Sequence, residues 1–313
     1  MKVISPSSRI MSELEVMTIK QRIETCGRLC YKSEDKITES SADKFIKNVI
    51  DRGHNSVMEM ASLTLDVSGT SSSINEFYGL LPKYLVIDWL HPEHILVTGS
   101  IRAFRELYQA SGCSSLAAGI LQALNGRYPD LFPGMAFPWR YAVTVREVNN
   151  SELNMMSDGF IFRHRKVAVK FIVNRAVSHE MVRHRPCSFL QESQRYCRYN
   201  LAKFGSEVTF VKPSVFFRED SMEYVEWYRA MCHAEIMYFK LLETSTPQAA
   251  RTVLPNSTKT ELIVYAALDQ WWHMFNLRTS DACDPSMREV MIPLLDEFRG
   301  HWPSFFDNIE AAA

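Results

Sequence analysis

The chain has 313 residues, 46% of them apolar and 23% charged, which excludes a disordered, collagenous or coiled-coil chain and leaves room for one large or two modest domains. With 35 Lys and Arg against 36 Asp and Glu the net charge is -1. That balance removes any global electrostatic case for a nucleic-acid or membrane-surface protein, so an anion site has to be built locally. The seven cysteines are odd in number, scattered and without a CxxC pair, which points to a reducing cytoplasm and no zinc or disulfide framework. The first residues lack the apolar core of a signal peptide, and the most apolar later stretch, Leu262–Leu277, is broken by Asp269, Gln270, His273 and Asn276. A soluble protein is expected.

In chain order, Ser41–Arg52 is an amphipathic helix with Phe45, Val49 and Ile50 on one side, and Gly53 stops it. His54 begins a loop. In Ser62–Val67, Leu63, Leu65 and Val67 alternate with polar residues, the period of a half-buried strand, and Ser68–Ser73 reads as a turn. From Ile74 to about Ser157 short helical patterns, such as Ser100 capping Ile101–Gln109 and the run Ser114–Leu124, alternate with connections at Pro82, Pro92, Pro129, Pro133 and Pro138. The segment reads as an accessory, mostly helical insertion. Val167–Val173 is β-branched and alternating, hence a strand, and Asn174 then opens a helical run that must stop before Pro186. Val208–Val211 is a short strand, and Met222–Leu242 a long helix whose aromatic stripe reads as core packing. Thr246-Pro247 opens a short helix through Arg251. Thr258-Lys-Thr-Glu261 matches a capping box and predicts a helix of about twenty residues ending near Arg278. Met287–Phe298 is one more helix.

The densest chemical constellation is RHRPCSFLQESQRYCRY, residues 183–199, with Arg183, Arg185, Arg195 and Arg198 against the single carboxylate of Glu192. Guanidinium forks, serine hydroxyls and loop N–H groups together make a phosphate cradle. The same charge is also what a solvated basic loop would carry.

The spacing within it, Arg183-His184-Arg185, seven intervening residues and then Ser193 followed by Gln194-Arg195-Tyr196, resembles the RHR-x7-S signature of the flavin-dependent thymidylate synthases. Gly53-His54-Asn55-Ser56-Val57-Met58-Glu59, Arg251-Thr-Val-Leu-Pro255 and His273-Met-Phe-Asn-Leu-Arg278 resemble the family at the expected places. A second tripeptide, Arg163-His164-Arg165, lacks the serine, because eight residues beyond Arg165 stands Val173; it reads as a decoy. The resemblance covers about residues 40–70 and 165–305, so the chain divides as 1–73 and 161–313, two parts of one family-like domain, with 74–160 inserted. It implies an α+β fold with a central mixed or antiparallel sheet, flanking helices and the helical insertion.

The resemblance also implies roles. Arg183, His184, Arg185, His54 and Ser56 would contact FAD, with Gln191, Ala267, Asp269 and His273 completing the flavin site. Ser193 and its neighbours Gln191, Glu192, Gln194 and Arg195 would hold the dUMP phosphate with Arg251, while Glu180 and Arg183 flank the nucleotide. Arg278 would lie against the pyrimidine as the catalytic group. Uracil C5 is a poor nucleophile, so a fixed cation that stabilises an enolate-like ring is what the chemistry needs. The reaction implied is reductive methylation of dUMP to dTMP, with methylenetetrahydrofolate as carbon donor and NADPH as reductant. Ala267-Leu268-Asp269 departs from the Asn-x-Arg that the family often shows.

Absences fit this reading. No two glycines stand one residue apart, so neither a GxGxxG turn nor a GxxxxGK[ST] loop is present. The cofactor would be held by side chains from several chains, in the homotetramer with shared active sites that the resemblance implies. Cys187 beside His184 invites a nucleophile, but reads as a packing residue. His179-Glu180 opens an HExxH-like string, yet His184 lies roughly 140° around a helix from His179, so the two cannot face one metal. No metal is expected there, and His91-Pro-Glu-His94 reads as a solvated loop. Arginines interleaved with Phe189, Tyr196 and Tyr199 could instead stack RNA bases.

Overall fold

A computed structural model describes residues 1–312 apart from 111–113, 138, 196 and 200–204. Cys113, Pro138 and Tyr196 therefore lie outside the described residues. In chain order the strands are β1 (Lys2–Ile4), β2 (Ser7–Ile10), β3 (Ser62–Ser68), β4 (Leu85–His91), β5 (His94–Ser100), β6 (Thr144–Val148), β7 (Lys166–Asn174), β8 (Ser188–Gln191), β9 (Thr209–Val211) and β10 (Lys259–Ala267). They form an antiparallel sheet of order β2-β7-β10-β8, a second antiparallel sheet of order β4-β5-β3-β6, and a parallel pair β1-β9. The fold is α+β, with helices on the faces of both sheets.

Each sheet has its own core. Leu63, Leu65 and Val67 of β3 point to one side, as their alternation predicts, and pack with Ile95 and Val97 of β5 and with the helices Ile19–Leu29, Ile101–Ala110 and Ser115–Arg127. Under the first sheet, Val169, Phe171, Leu262 and Val264 pack against Trp271, Phe275 and Phe298 of the helices Leu268–Arg278 and Pro285–His301. The three aromatic rings of that layer lie 5.0–5.8 Å apart, the spacing of favourable edge and offset contacts.

One expectation is overturned. Thr258 and Glu261 do not cap a twenty-residue helix: Lys259–Ala267 is a strand, and the helix begins only at Leu268. The strand is paired on both sides, by β7 and β8, and buried on both faces. A central strand of this kind shows a continuous apolar run that periodicity cannot separate from a buried helix. The Glu261 side chain reaches Lys32, Lys170 and Lys259 at 2.6–2.8 Å and caps nothing.

The segment 74–160 carries the helices predicted for it, Ile101–Ala110 with Ser100 Oγ accepting from Ala103 N at 3.1 Å and Ser115–Arg127 capped by Ser114, and three strands besides. β4 and β5 form a hairpin across Pro92-Glu93, where Glu93 takes a φ of 67° without any Asn-Gly or Gly signal. β3 lies between β5 and β6, both from this segment.

Other elements agree closely. The helix Ser41–Asp51 ends at Arg52, with Gly53 at φ 67°, a conformation that favours glycine. The helix Met222–Thr244 is as long as predicted, but only Met231, Tyr238 and Leu242 of it are buried, while Met222, Tyr228 and Ile236 stay exposed. Its aromatic stripe is core along one edge only. Among the described residues no helix is long and apolar enough to cross a membrane.

The second RHR tripeptide bonds to β4, to β5 and to the N-terminal part of the chain. Arg163 bonds Asp88, His164 bridges Asp88 (2.8 Å) and Thr98 (2.7 Å), and Arg165 reaches Glu15 at 3.0 Å. Asp88 and Thr98 belong to β4 and β5.

Candidate active site

The strand β7 leads into the helix Arg175–Met181, and Asn174 caps it by accepting from Val177 N at 2.9 Å. The helix stops at Met181, so Arg183-His184-Arg185 lies in the turn beyond it and β8 follows. Arg183 and Arg185 are exposed. Arg185 folds back on the Val182 and His184 carbonyls, with its guanidinium 6.0 Å over the Phe189 ring.

His184, by contrast, is buried. Arg278, in the last turn of its helix, donates from Nε to His184 Nε2 at 2.9 Å and from Nη1 to Glu180 Oε2 at 2.7 Å. Burial first, then the Arg278 charge and His273, pull the imidazole down to about 4, so it is neutral at neutral pH. Since Nε2 accepts, the ring proton is assigned to Nδ1. The exposed His273 ring lies 6.1 Å from that of His184. Glu180, His184, His273 and Arg278 are thus one cluster, with a cation fixed by a carboxylate and an imidazole.

A cleft of about 560 Å³ forms a second grouping. The loop after Gly53 supplies His54, Asn55 and Ser56, and the chain leaving β8 supplies Gln191, Ser193 and Arg195. Ser193 N donates to the Cys30 carbonyl at 3.0 Å, which pins the loop to the end of the Ile19–Leu29 helix. Gln191 Nε2 is held by Ser178 and Thr260 at 3.0 Å each. Tyr31 fixes the His54 ring through a 2.9 Å bond to Nδ1. Cys30 also lines the cleft, but burial pushes its thiol up to about 11.

The remaining expected residues sit around these two groups. Glu192 is buried and committed to Lys259 at 2.8 Å and Tyr199 at 3.3 Å. Gln194 accepts from Arg175 at 3.0 Å. Arg251 lies close enough to Arg175 that its charge, after burial, helps hold Arg175 below the usual arginine range. Ala267 is buried as the backbone cap of the Leu268–Arg278 helix. Asp269 is half-buried and its carboxyl is pushed up by burial. Neither Ala267 nor Asp269 lines the cleft.

Sequence reasoning missed Arg175, Arg102 and Tyr31. A cation in the first turn of a helix runs against the helix dipole, and that misplacement was a signal for Arg175. Arg102 and Tyr31 carry no local signal; only the fold brings them to the cleft.

Burial pushes the Cys187 thiol up to about 12, so no thiolate is available there. Cys187→Ala is expected to keep at least half of the native turnover; a loss beyond tenfold would revive the nucleophile. His179 bonds Arg175 at 3.0 Å, the His91 and His94 rings lie 4.1 Å apart at a tilt of 34°, and among the described residues no three metal-ligating side chains converge.

Fold and site together define an α+β protein whose arginines, serine and amides converge on a cleft suited to an anionic ligand. The chain belongs to the family described as thymidylate synthase complementing protein, whose pattern matches residues 14–76 and 150–304. Among curated relatives it is similar to the flavin-dependent thymidylate synthase of Pyrococcus furiosus, 34% identical over 125 residues, which cover 40% of this chain and 50% of that one. The namesake enzyme of Corynebacterium aurimucosum is 30% identical over 152 residues, or 44% and 58% of the two chains. The chain thus spans about half the length of the curated relatives it matches. A crystal structure of the UMP/dUMP methylase PolB from Streptomyces cacaoi, bound with 5-Br dUMP, aligns over 98% of this chain and 96% of its own with a TM-score of 0.42 and 13% identity.

Proposed function

We propose that the chain makes dTMP from dUMP, taking a methylene group from methylenetetrahydrofolate and a hydride from NADPH, with FAD as bound cofactor. The observation that carries this reading is the meeting of residues 53–57 with residues 189–195 on one cleft, two segments far apart in sequence for which the resemblance implies flavin and nucleotide contacts. The cofactor fits the lining. Tyr31, Val57, Phe189 and Leu190 offer apolar surface to a ring system, while His54, Asn55, Ser56 and Arg102 offer polar partners to its edges.

FAD supplies the two-electron chemistry when bound. The protein's own groups orient and neutralise. Ser193 and Arg195 bind the dUMP phosphate, with Arg175 and Arg251 as a cationic bank behind them and the neutral Gln194 amide holding Arg175 in place. Arg278 holds a fixed positive charge against the developing oxyanion of the pyrimidine, and neutral His184 keeps the guanidinium aimed without competing for the anion. The exposure of Arg183 and Arg185, and the separation of the Arg278 cluster from the cleft, support an assembly of four copies that completes each site across neighbours. We place the enzyme in the cytoplasm, where its thiols stay reduced.

Incubating the purified chain with dUMP, methylenetetrahydrofolate and NADPH should yield dTMP, and the protein should be yellow with near-stoichiometric flavin. Colourless protein that binds oligonucleotides with a steep salt dependence would overturn the reading. Ser193→Ala should weaken dUMP binding by about tenfold, the worth of one charge-assisted hydrogen bond, and leave some turnover. Unchanged dUMP affinity in a titration would remove Ser193 from the phosphate site.

A further inference from the structure

A second hollow opens beside the cleft. It measures about 350 Å³ and shares Asn55 and Arg102 with the first, so the two hollows adjoin across these residues. Its other walls come from the segment 74–160: Arg105, Glu106, Tyr108 and Gln109 of the helix Ile101–Ala110, and Pro133 and Met135 beyond the next helix.

The two arginines differ. Arg102 is engaged by Glu59 at 2.7 Å and by Glu106 at 2.6 Å. Arg105 is half-buried and donates to Asn55 Oδ1 at 3.3 Å; Glu106 in the same hollow is taken by Arg102, and among the described residues no carboxylate pairs with Arg105, whose guanidinium is pulled below the usual arginine range by burial. A cation withdrawn from water without a counter-charge is unfavourable until an anion joins it. Beside it the Tyr108 hydroxyl is fixed to the Ala136 backbone, accepting from N at 3.1 Å and donating to O at 3.4 Å, and the ring packs edge-on against Phe137 at 5.9 Å. Tyr108, Pro133 and Met135 thus supply rigid apolar surface next to a guanidinium that has a hydrogen bond and, among the described residues, no paired carboxylate.

We propose that this hollow is a subsite for the adenylate end of a dinucleotide whose other end lies in the cleft, Arg105 holding a phosphate and Tyr108, Pro133 and Met135 flanking the adenine. The inference rests on the flavin and nucleotide reading of the cleft. A guanidinium fork matches phosphate oxygens, and a planar base gains from aromatic and apolar walls. The phosphate has two sources, the diphosphate of FAD or the 2′-phosphate of NADPH.

Titration of the full chain with FAD, FMN, NADPH, NADH and dUMP distinguishes them. Arg105→Gln should weaken FAD or NADPH by about ten- to hundredfold, as expected for a lost charge-assisted contact, and leave FMN, NADH and dUMP unchanged. Loss of the preference for FAD over FMN identifies the diphosphate; loss of the preference for NADPH over NADH identifies the 2′-phosphate. Gln109→Glu, at an exposed wall of the same hollow, should weaken the same ligand by charge repulsion with Arg105 intact. If both preferences survive both substitutions while FMN and dUMP still bind, the subsite is wrong and the cleft reading stands. If the native chain binds neither dUMP nor any flavin, both are wrong.

Discussion

Arg278→Ala is expected to lower turnover on dUMP by about a hundredfold or more, while bound flavin falls by much less. The magnitude is that of removing one preorganised donor from a developing oxyanion. The geometry accounts for the expected division, because Arg278 contacts Glu180 and His184 and does not line the cleft proposed to hold the flavin. The same substitution has a spectroscopic consequence. Its charge is one cause of the low His184 value of about 4, after burial, so the imidazole should titrate higher in the variant yet stay below the ordinary histidine value. Steady-state kinetics with flavin absorbance, and an NMR titration of the ring, measure both. Native turnover in the variant would remove Arg278 from catalysis, and an unmoved His184 would contradict the contact.

Glu261→Ala is expected to destabilise the fold by about 3–5 kcal/mol at pH 7, the cost of breaking a buried ionic group by removing one partner. Glu261 is buried and pairs with Lys32, Lys170 and Lys259; its loss takes from Lys170 the carboxylate it pairs with, and leaves Lys259 only Glu192 at 2.8 Å and Lys32 only Glu34 at 3.1 Å to offset three clustered cations. Burial alone would raise its carboxyl, but the lysines outweigh burial and hold it well below the usual carboxylate range. Its stabilising effect is therefore complete above the unfolded value of about 4.3 and is lost as pH falls from there toward the lower folded value. Urea midpoints of native and variant chains should lie far apart at pH 7 and converge in acid. A constant gap down to pH 3 would contradict this account. The backbone is involved too, since the Glu261 carbonyl accepts from Glu192 N at 2.8 Å at the root of the Ser193 loop.

What could be read from the sequence followed from how local each signal is. β3 declares itself by alternation because one face is buried and the other half-exposed, whereas β10, buried on both faces, carries a run that also fits a helix. The β4–β5 hairpin stayed hidden because its turn uses Pro92-Glu93 with a strained glutamate. The arginine-rich segment was visible because its spacing lies within one stretch of chain. Arg175, Arg102, Arg105 and Tyr31 reach their places through tertiary packing, so no window of sequence unites them with Ser193.

The position of β3 limits how this chain can be shortened. Both of its neighbours, β5 and β6, come from the segment 74–160, and it begins just after the stretch that carries His54 and Ser56. Excising residues 77–149 would strip both edges of β3 at once, leaving two rows of bare amides and carbonyls beside the stretch that carries His54 and Ser56. Such edges recruit other chains, so a trimmed version would aggregate before it could reveal a minimal enzyme.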